Sequence, residues 1–291
     1  MNTQSYTATT LAGLEEVLAR ELIELGANEI QIGRRSVYFK GDLRMLYKAN
    51  YCLRTALRIL IPIDSYNIHS ANDLYQRGRN FKWEELFDVK QTFAIQSTVF
   101  SDLFNNSMYA SLKLKDAIAD RFRYKFGERP NVDSKDPDVL INLHISNGHC
   151  TISLDSSGES LHKRGYRQAQ NEAPINEVLA AALLQMSDWD RQSTLTDPMC
   201  GSGTIAIEAA MLANGIFPGT IRKSYGFMNW RDFDAKLFQR VELEAKEGIT
   251  GSIKISASDI LRRNIEIASR NAEAAGVAHL IDFRVADFKA L

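Results

Sequence analysis

Asp197-Pro198-Met199-Cys200-Gly201-Ser202-Gly203-Thr204 is the stretch on which the reading of this chain turns. It follows the short strand-like Ser193-Thr194-Leu195-Thr196 and opens a helical run from Ile205 to Leu212. A strand, a glycine turn and a helix start bring backbone amides to a small charged ligand. Gly201 and Gly203 lack a Cβ, so the chain can bend tightly and approach that ligand closely. The same spacing also fits a dinucleotide fold, so the glycines alone do not choose the ligand. No lysine follows the second glycine, which argues against a phosphate-cradling P-loop. A dinucleotide site wants an acid about 20 residues further on, and here that neighbourhood is the basic Thr220-Ile221-Arg222-Lys223. Asp197 tips the balance. A carboxylate at the strand end repels a pyrophosphate and attracts the ammonium group of a methionine moiety, so S-adenosylmethionine (SAM) fits better.

Two further acids extend that reading. Lys254 to Asp259 reads as a second strand, with Asp259 placed to accept hydrogen bonds from both ribose hydroxyls. A helix from Arg262 to Ala275 stops at Gly276. Leu280 to Val285 reads as a third strand leading to Asp287, placed for the adenine amino group. The plain alternatives are turn and N-cap roles for Asp197 and Asp259 and a solvated loop acid at Asp287. Three carboxylates at the carboxyl ends of successive strands match where open α/β sheets bind ligands. Cys200 belongs to the loop as a small filler, since no His or Asp partner for a nucleophile is near in sequence.

Composition narrows the class further. Apolar residues make up 45% of the 291 and charged residues 24%, ordinary for a globular protein with room for about two domains. No apolar run approaches the roughly 20 residues that cross a bilayer, and no signal peptide is evident. Three cysteines, far apart, suggest a reducing cytosol, hence a cytoplasmic protein with no disulfide framework and no metal site. Net charge is −1, but basic residues cluster. Arg34 to Arg58 holds seven of them against the single acid Asp42. A second cluster runs from Lys113 to Arg129, and a third is His162-Lys163-Arg164-Gly165-Tyr166-Arg167. Such clusters suit a phosphate-binding face or a solvated helix surface.

Periodicity gives the organisation. Strand at Tyr6–Thr10, helix at Leu11–Leu25, strands near Glu29–Ile32 and Val37–Lys40, a helix after Asp42 and a strand over Ala56–Ser65 suggest a ferredoxin-like unit. A second α+β unit follows. It has a helix over Ala71–Gly78, a strand over Phe93–Val99 and a helix over Ser107–Phe126 with Leu112, Leu114, Ile118 and Phe122 inward. A hairpin around Asn147-Gly148 ends it near Asp155. The polar Ser156-Ser157-Gly158-Glu159-Ser160 is the expected boundary. Beyond it, a helix from Pro174 to Met186 and alternating strands and helices indicate a parallel sheet. An aromatic insertion (Phe217, Tyr225, Phe227, Trp230, Phe233, Phe238) is expected to pack an extra helix, Phe233 to Glu247, against that sheet.

Three blocks carry a family likeness: Leu161 to Arg167, Ala173 to Ala182, and Asp197 to Ile205 with Glu208-Ala209-Ala210. They resemble THUMP-domain RNA methyltransferases, most like the bacterial enzymes that methylate the exocyclic amine of guanine in 23S ribosomal RNA. The resemblance implies an α+β N-terminal region, ferredoxin-like over residues 1–65 and THUMP over 66–155. It implies a linker at 156–170 and a Rossmann-like SAM-dependent methyltransferase domain at 171–291. SAM would be held by Pro174, Asp197, Cys200, Gly201, Gly203, Thr204, Asp259 and Asp287. RNA would be met by Lys163, Arg164, Tyr166 and Arg167. Members often carry a second acid two residues after the Asp259 position, where Leu261 stands here. They also carry an Asn-Pro-Pro-Tyr segment that holds the target amine, and these 291 residues contain none. The expectation is therefore a fragment of a longer enzyme. It would hold no catalytic residue of its own, with the Asn-Pro-Pro-Tyr segment and the later strands lying beyond Leu291. A catalytically incomplete module that binds RNA and SAM, a transfer RNA methyltransferase of the same fold and a nicotinamide dehydrogenase are the alternatives.

Overall fold

The computed structural model describes residues 3–104, 106–169, 174–248 and 253–290. Gln170 and Ala173, at the expected junction of linker and methyltransferase region, lie outside the described residues. So does Leu291, the position beyond which the Asn-Pro-Pro-Tyr segment is expected. The N-terminal unit runs β1 (Gln4–Thr9), α1 (Glu15–Glu24), β2 (Asn28–Gly33), β3 (Ser36–Gly41), α2 (Leu43–Cys52) and β4 (Arg58–Asn67). Helix α1 starts later than its apolar stripe suggests. Gly13 sits at φ 86°, and the Glu15 carboxylate takes the backbone N–H groups of Gly13 and Arg35, both at 2.8 Å. This is a turn rather than a helical start. Asp42 caps α2 through the Met45 N–H at 2.9 Å.

The second unit holds α3 (Ala71–Asn80), β5 (Phe93–Phe100), α4 (Ser107–Phe126), β6 (Val139–Ser146) and β7 (His149–Asp155). Asn147 and Gly148 take φ of 49° and 77°, as a two-residue hairpin with a primed turn requires. Leu114, Ile118 and Phe122 are buried, but Leu112 lies on the outer face of α4, 47% exposed. The two units are not separate. Strand β4 pairs with β1 along one edge and with β7 along the other. One seven-stranded sheet results, in the order β2-β3-β1-β4-β7-β6-β5.

The C-terminal unit contains α5 (Glu177–Met186), β8 (Leu195–Asp197), α6 (Thr204–Ala213), α7 (Ala235–Lys246), β9 (Ile255–Asp259), α8 (Arg262–Ala274) and β10 (Ile281–Val285). The three strands are parallel in the order β10-β9-β8. Ile207, Met211, Ala268 and Ala272 from α6 and α8 pack with Ile255, Ala257 and Ile281 of the sheet. Among the described residues, no helix is long and apolar enough to cross a membrane.

One sequence expectation is corrected. The aromatic insertion does not pack on the parallel sheet. It joins the N-terminal core, where Tyr47 of α2 meets Phe227 at 4.6 Å between ring centroids and Phe238 at 5.6 Å. The polar segment read as the boundary begins with two interior serines. Ser156 and Ser157 have no exposed surface and bond through their hydroxyls to Asn50 and to the Ile59 backbone. Arg222 fastens the same segment by donating to the carbonyls of Ser157, Glu159, Ser160 and Lys163. Within the first two basic clusters several cations have acidic partners. Arg44 pairs with Glu244, Arg58 with Asp155, and Arg121 and Lys125 with Glu84.

The deepest of these ionic arrangements joins the two halves. Glu208, in the middle of α6, is 0% exposed. Its Oε1 accepts from Arg164 Nε at 3.5 Å and from the Tyr166 hydroxyl at 3.1 Å. Arg164 also donates to the carbonyls of Leu161 and Arg54. Buried Arg54, after α2, donates to the Ile216 carbonyl at 2.8 Å. Its own N–H and that of Thr55 go to Glu21 of α1. Burial pushes the Glu208 carboxyl up, and the charges of Arg164 and Arg54 oppose that shift. Removing one partner of a buried charge pair costs about 3–5 kcal/mol, whereas apolar replacement of the whole pair is often near neutral. Arg164→Met is therefore expected to lower unfolding free energy in urea by about that amount. The double variant Arg164→Met/Glu208→Leu should recover a large part of it.

Candidate cofactor site

The glycine turn sits between β8 and α6 and is tied to the neighbouring strand. Cys200 N–H donates to the Ser258 carbonyl at 2.9 Å, and Gly203 N–H to the Cys200 carbonyl at 2.8 Å. Gly201 and Gly203 take φ of 55° and 83°, which favours glycine. Gly203 has a second constraint. A Cβ there would lie 2.9 Å from the Ala268 Cβ, so the missing side chain admits α8 against the turn. Gly203 is also the N-cap of α6 and offers no side-chain cap. The first-turn N–H groups of the helix thus stay free of a side-chain acceptor.

Asp259 closes the turn from β9. Its Oδ2 accepts from Gly201 N–H at 3.1 Å. Its Oδ1 accepts from Leu261 N–H at 2.9 Å and Asn264 Nδ2 at 3.0 Å. An ionised carboxylate offers about four lone-pair sites, so three are already used. Asp197, at the end of β8, is half-buried, and its Oδ1 takes only a long bond from Met199 N–H at 3.4 Å. Burial pushes its carboxyl up, the Met199 bond opposes this, and the negative charge of Asp259 adds to the rise. Asp287 follows β10 and is exposed, with Oδ1 accepting from Lys289 N–H at 3.0 Å. Ala286 N–H donates to the Asp259 carbonyl at 3.1 Å, which brings that exit beside β9. Cys200 is buried, and burial pushes its thiol up to about 12, so it is no nucleophile at neutral pH.

The basic block 162–167 is where placement departs most from expectation. Arg164 and Tyr166 are each 1% exposed and serve Glu208. Neither can meet RNA phosphate from there. Arg167 faces inward to Glu177 and to the hydroxyls of Ser202 and Thr204. Lys163 alone of the four is exposed, paired with Glu159 four residues earlier. Pro174 is half-buried, next to Ile175, whose carbonyl Arg167 also holds. Sequence reasoning missed Asn264 and Asn271. Asn271 is 1% exposed and lies among the apolar positions Ile267, Ala268 and Ala272 of α8. A polar residue in an inward stripe was the available signal. Among the described residues, no group of three or more His, Cys, Asp or Glu could hold a metal ion.

A glycine turn after the first of three parallel strands, with acids at the ends of the first two, defines the nucleoside-cofactor half of a Rossmann-like methyltransferase. Comparison with known proteins agrees. Residues 164–291 match the family model for the RMKL-like methyltransferase domain, residues 69–155 that for the THUMP domain, and residues 5–60 that for the RlmL ferredoxin-like domain. SMU.472, a protein of the methyltransferase type solved in complex with SAH, is 30% identical with TM-score 0.88 over 100% of this chain and 77% of its own. A possible methylase from Clostridium difficile 630 is 32% identical with TM-score 0.87, covering 98% of this chain and 76% of its own. A predicted N6-adenine-specific DNA methylase from Listeria monocytogenes is 30% identical with TM-score 0.87, covering 99% and 76%. The chain belongs to the THUMP-containing RNA methyltransferases of the RlmL type. Its cofactor is SAM.

The packing of Gly203 gives a direct check. Gly203→Ala places a side chain at a left-handed φ and against Ala268, and strain of this kind costs about 1–3 kcal/mol. Urea unfolding should report a loss of that order. Gly248→Ala, where a Cβ meets nothing within 4 Å, should stay within about 0.5 kcal/mol of wild type.

Proposed function

We propose that this chain belongs to an enzyme that methylates the exocyclic amine of a guanine in 23S ribosomal RNA. In this reading Asp197 takes the ammonium of SAM, and the Gly201–Thr204 turn with the start of α6 takes its carboxylate. Asp259 takes the ribose, Asp287 takes the adenine amino group, and Cys200 and Pro174 fill the loop around them. The observation that carries the placement is the pair Asp197 and Asp259. Two acids end adjacent parallel strands on either side of one glycine turn, which suits a cationic ligand. When bound, SAM supplies a methyl group on a sulfonium centre, open to in-line attack by a nitrogen lone pair.

The chain's own part is to bind and orient. Asp197 holds a charge partner for the ammonium, and the α6 amide groups hold the opposite end. With three of its lone pairs occupied, Asp259 accepts one ribose hydroxyl, and a second requires Asn264 to swing away. The target base has to leave its stack to reach a buried donor. The choice of ribosomal RNA is supported by the RlmL-type first domain at residues 5–60. Lys163 remains the candidate for a phosphate contact.

Tritiated SAM, offered with the enzyme to unmodified 23S ribosomal RNA, transfer RNA and duplex DNA, tests the target. Label in N2-methylguanine of 23S ribosomal RNA is expected. Label confined to transfer RNA, or in DNA adenine as the Listeria relative's description would have it, overturns the assignment. Calorimetry tests the site. Asp259→Ala should weaken SAM binding roughly tenfold to a hundredfold, about 1.4 kcal/mol per tenfold. Protonated Asp197 cannot pair with the ammonium. SAM affinity should thus fall with decreasing pH, beginning above the usual carboxylate range because burial raises that carboxyl. Asp197→Asn should bind weakly and lose this part of the pH dependence.

A further inference from the structure

Segment 164–169 crosses the start of α6 as a strap, and Arg167 is its most heavily bonded side chain there. Arg167 Nε donates to Glu177 Oε1 at 2.9 Å. Nη2 donates to the Ile175 carbonyl at 3.1 Å and to Thr204 Oγ1 at 3.2 Å, and Nη1 to Ser202 Oγ at 3.4 Å. The guanidinium thus ties three segments: the strap, the entry to α5, and the two residues flanking Gly203. Asn271 completes the arrangement from α8. Its Oδ1 accepts from Gln168 N–H at 2.9 Å, and its Nδ2 donates to the carbonyls of Ser202 and Ala169, both at 3.0 Å. Ser202 is therefore held at its hydroxyl by Arg167 and at its carbonyl by Asn271.

A turn built on two glycines has little stiffness of its own, because glycine samples more backbone conformations than any other residue. External bonds must select the one that aims its amide groups at a ligand. We infer that Arg167 is a positioning residue for the methionine arm of SAM, holding Ser202 and Thr204 so that the glycine turn keeps its binding shape, and that it makes no RNA contact. This rests on the reading of the turn as the SAM site. Lysine would keep the charge opposite Glu177, but its single ammonium cannot span acceptors on both segments as a planar guanidinium does.

The test compares two probes, S-adenosylhomocysteine and 5′-methylthioadenosine, by calorimetry on wild type, Arg167→Ala and Arg167→Lys, well below each melting temperature. The second probe has the adenine, ribose and thioether but no amino-acid arm. Arg167→Ala should weaken S-adenosylhomocysteine at least tenfold and leave 5′-methylthioadenosine within twofold. Arg167→Lys should fall between wild type and Arg167→Ala for the first probe. Where Arg167→Ala does not fold, Arg167→Lys carries the test alone: a loss of threefold or more confined to the first probe is expected. Equal weakening of both probes assigns Arg167 a general structural role and overturns the inference, as does unchanged binding of the first. Wild type that binds neither probe removes the SAM site itself, and the inference with it. Wild type that binds both, matched by the variants, removes only the role of Arg167.

Discussion

A carboxylate with no exposed surface lies halfway along α6, and much of the molecule is arranged around it. An unpaired charge in such a place is prohibitively costly. Glu208 therefore requires Arg164 and Tyr166 from the strap, with Arg54 of the first unit contributing to its electrostatic environment. The helix that begins at the glycine turn cannot be buried until those groups are in place. In this way the cofactor turn depends on residues about 150 positions earlier in the chain, through Arg164 donating to the Arg54 carbonyl. The aromatic cluster of Tyr47, Phe227 and Phe238 adds apolar contact between α2 and the insertion that leads into α7.

Local signals in the sequence were readable where local physics decides. Helix α4 runs Ser107–Phe126 as expected because Asn106 caps its start and Gly127, at φ 77°, ends it. The Asn147-Gly148 hairpin follows from two residues that tolerate positive φ. The glycine turn and the strands β8, β9 and β10 were legible for the same reason: each is a short-range pattern. The family likeness carried by the blocks around Arg167, Pro174 and Gly201 was legible too, and the methyltransferase-domain model matches residues 164–291, where those three residues lie.

What the pattern could not say was which surface each element faces. Charge type does not distinguish an arginine aimed at solvent from one aimed at a buried acid, so Arg164 and Arg167 were expected to meet RNA and instead face inward. The partner of α7 was equally hidden. An amphipathic helix states that it has an apolar face but not whose core completes it. The fusion of two α+β units through β4 depends on pairing between residues such as Leu60 and Asp155, far apart in the chain. One clue was present. A glutamate inside the otherwise apolar Ile205–Leu212 run must find a cation, and Arg164 stands within one of the same motif blocks.

Strand β4 carries a mechanical implication. Because it pairs with β1 over Arg58 to Leu60 and with β7 over Leu60 to Asn67, one unbroken strand carries both halves of the seven-stranded sheet, with no loop between them at which one half could swing against the other. The aromatic junction and the Arg222 clamp then brace that slab against the nucleoside-holding layer. The seven-stranded and three-stranded sheets, connected in this way, act like two plates bolted at a fixed spacing. Their separation is set by the scaffold rather than by the loops that join them.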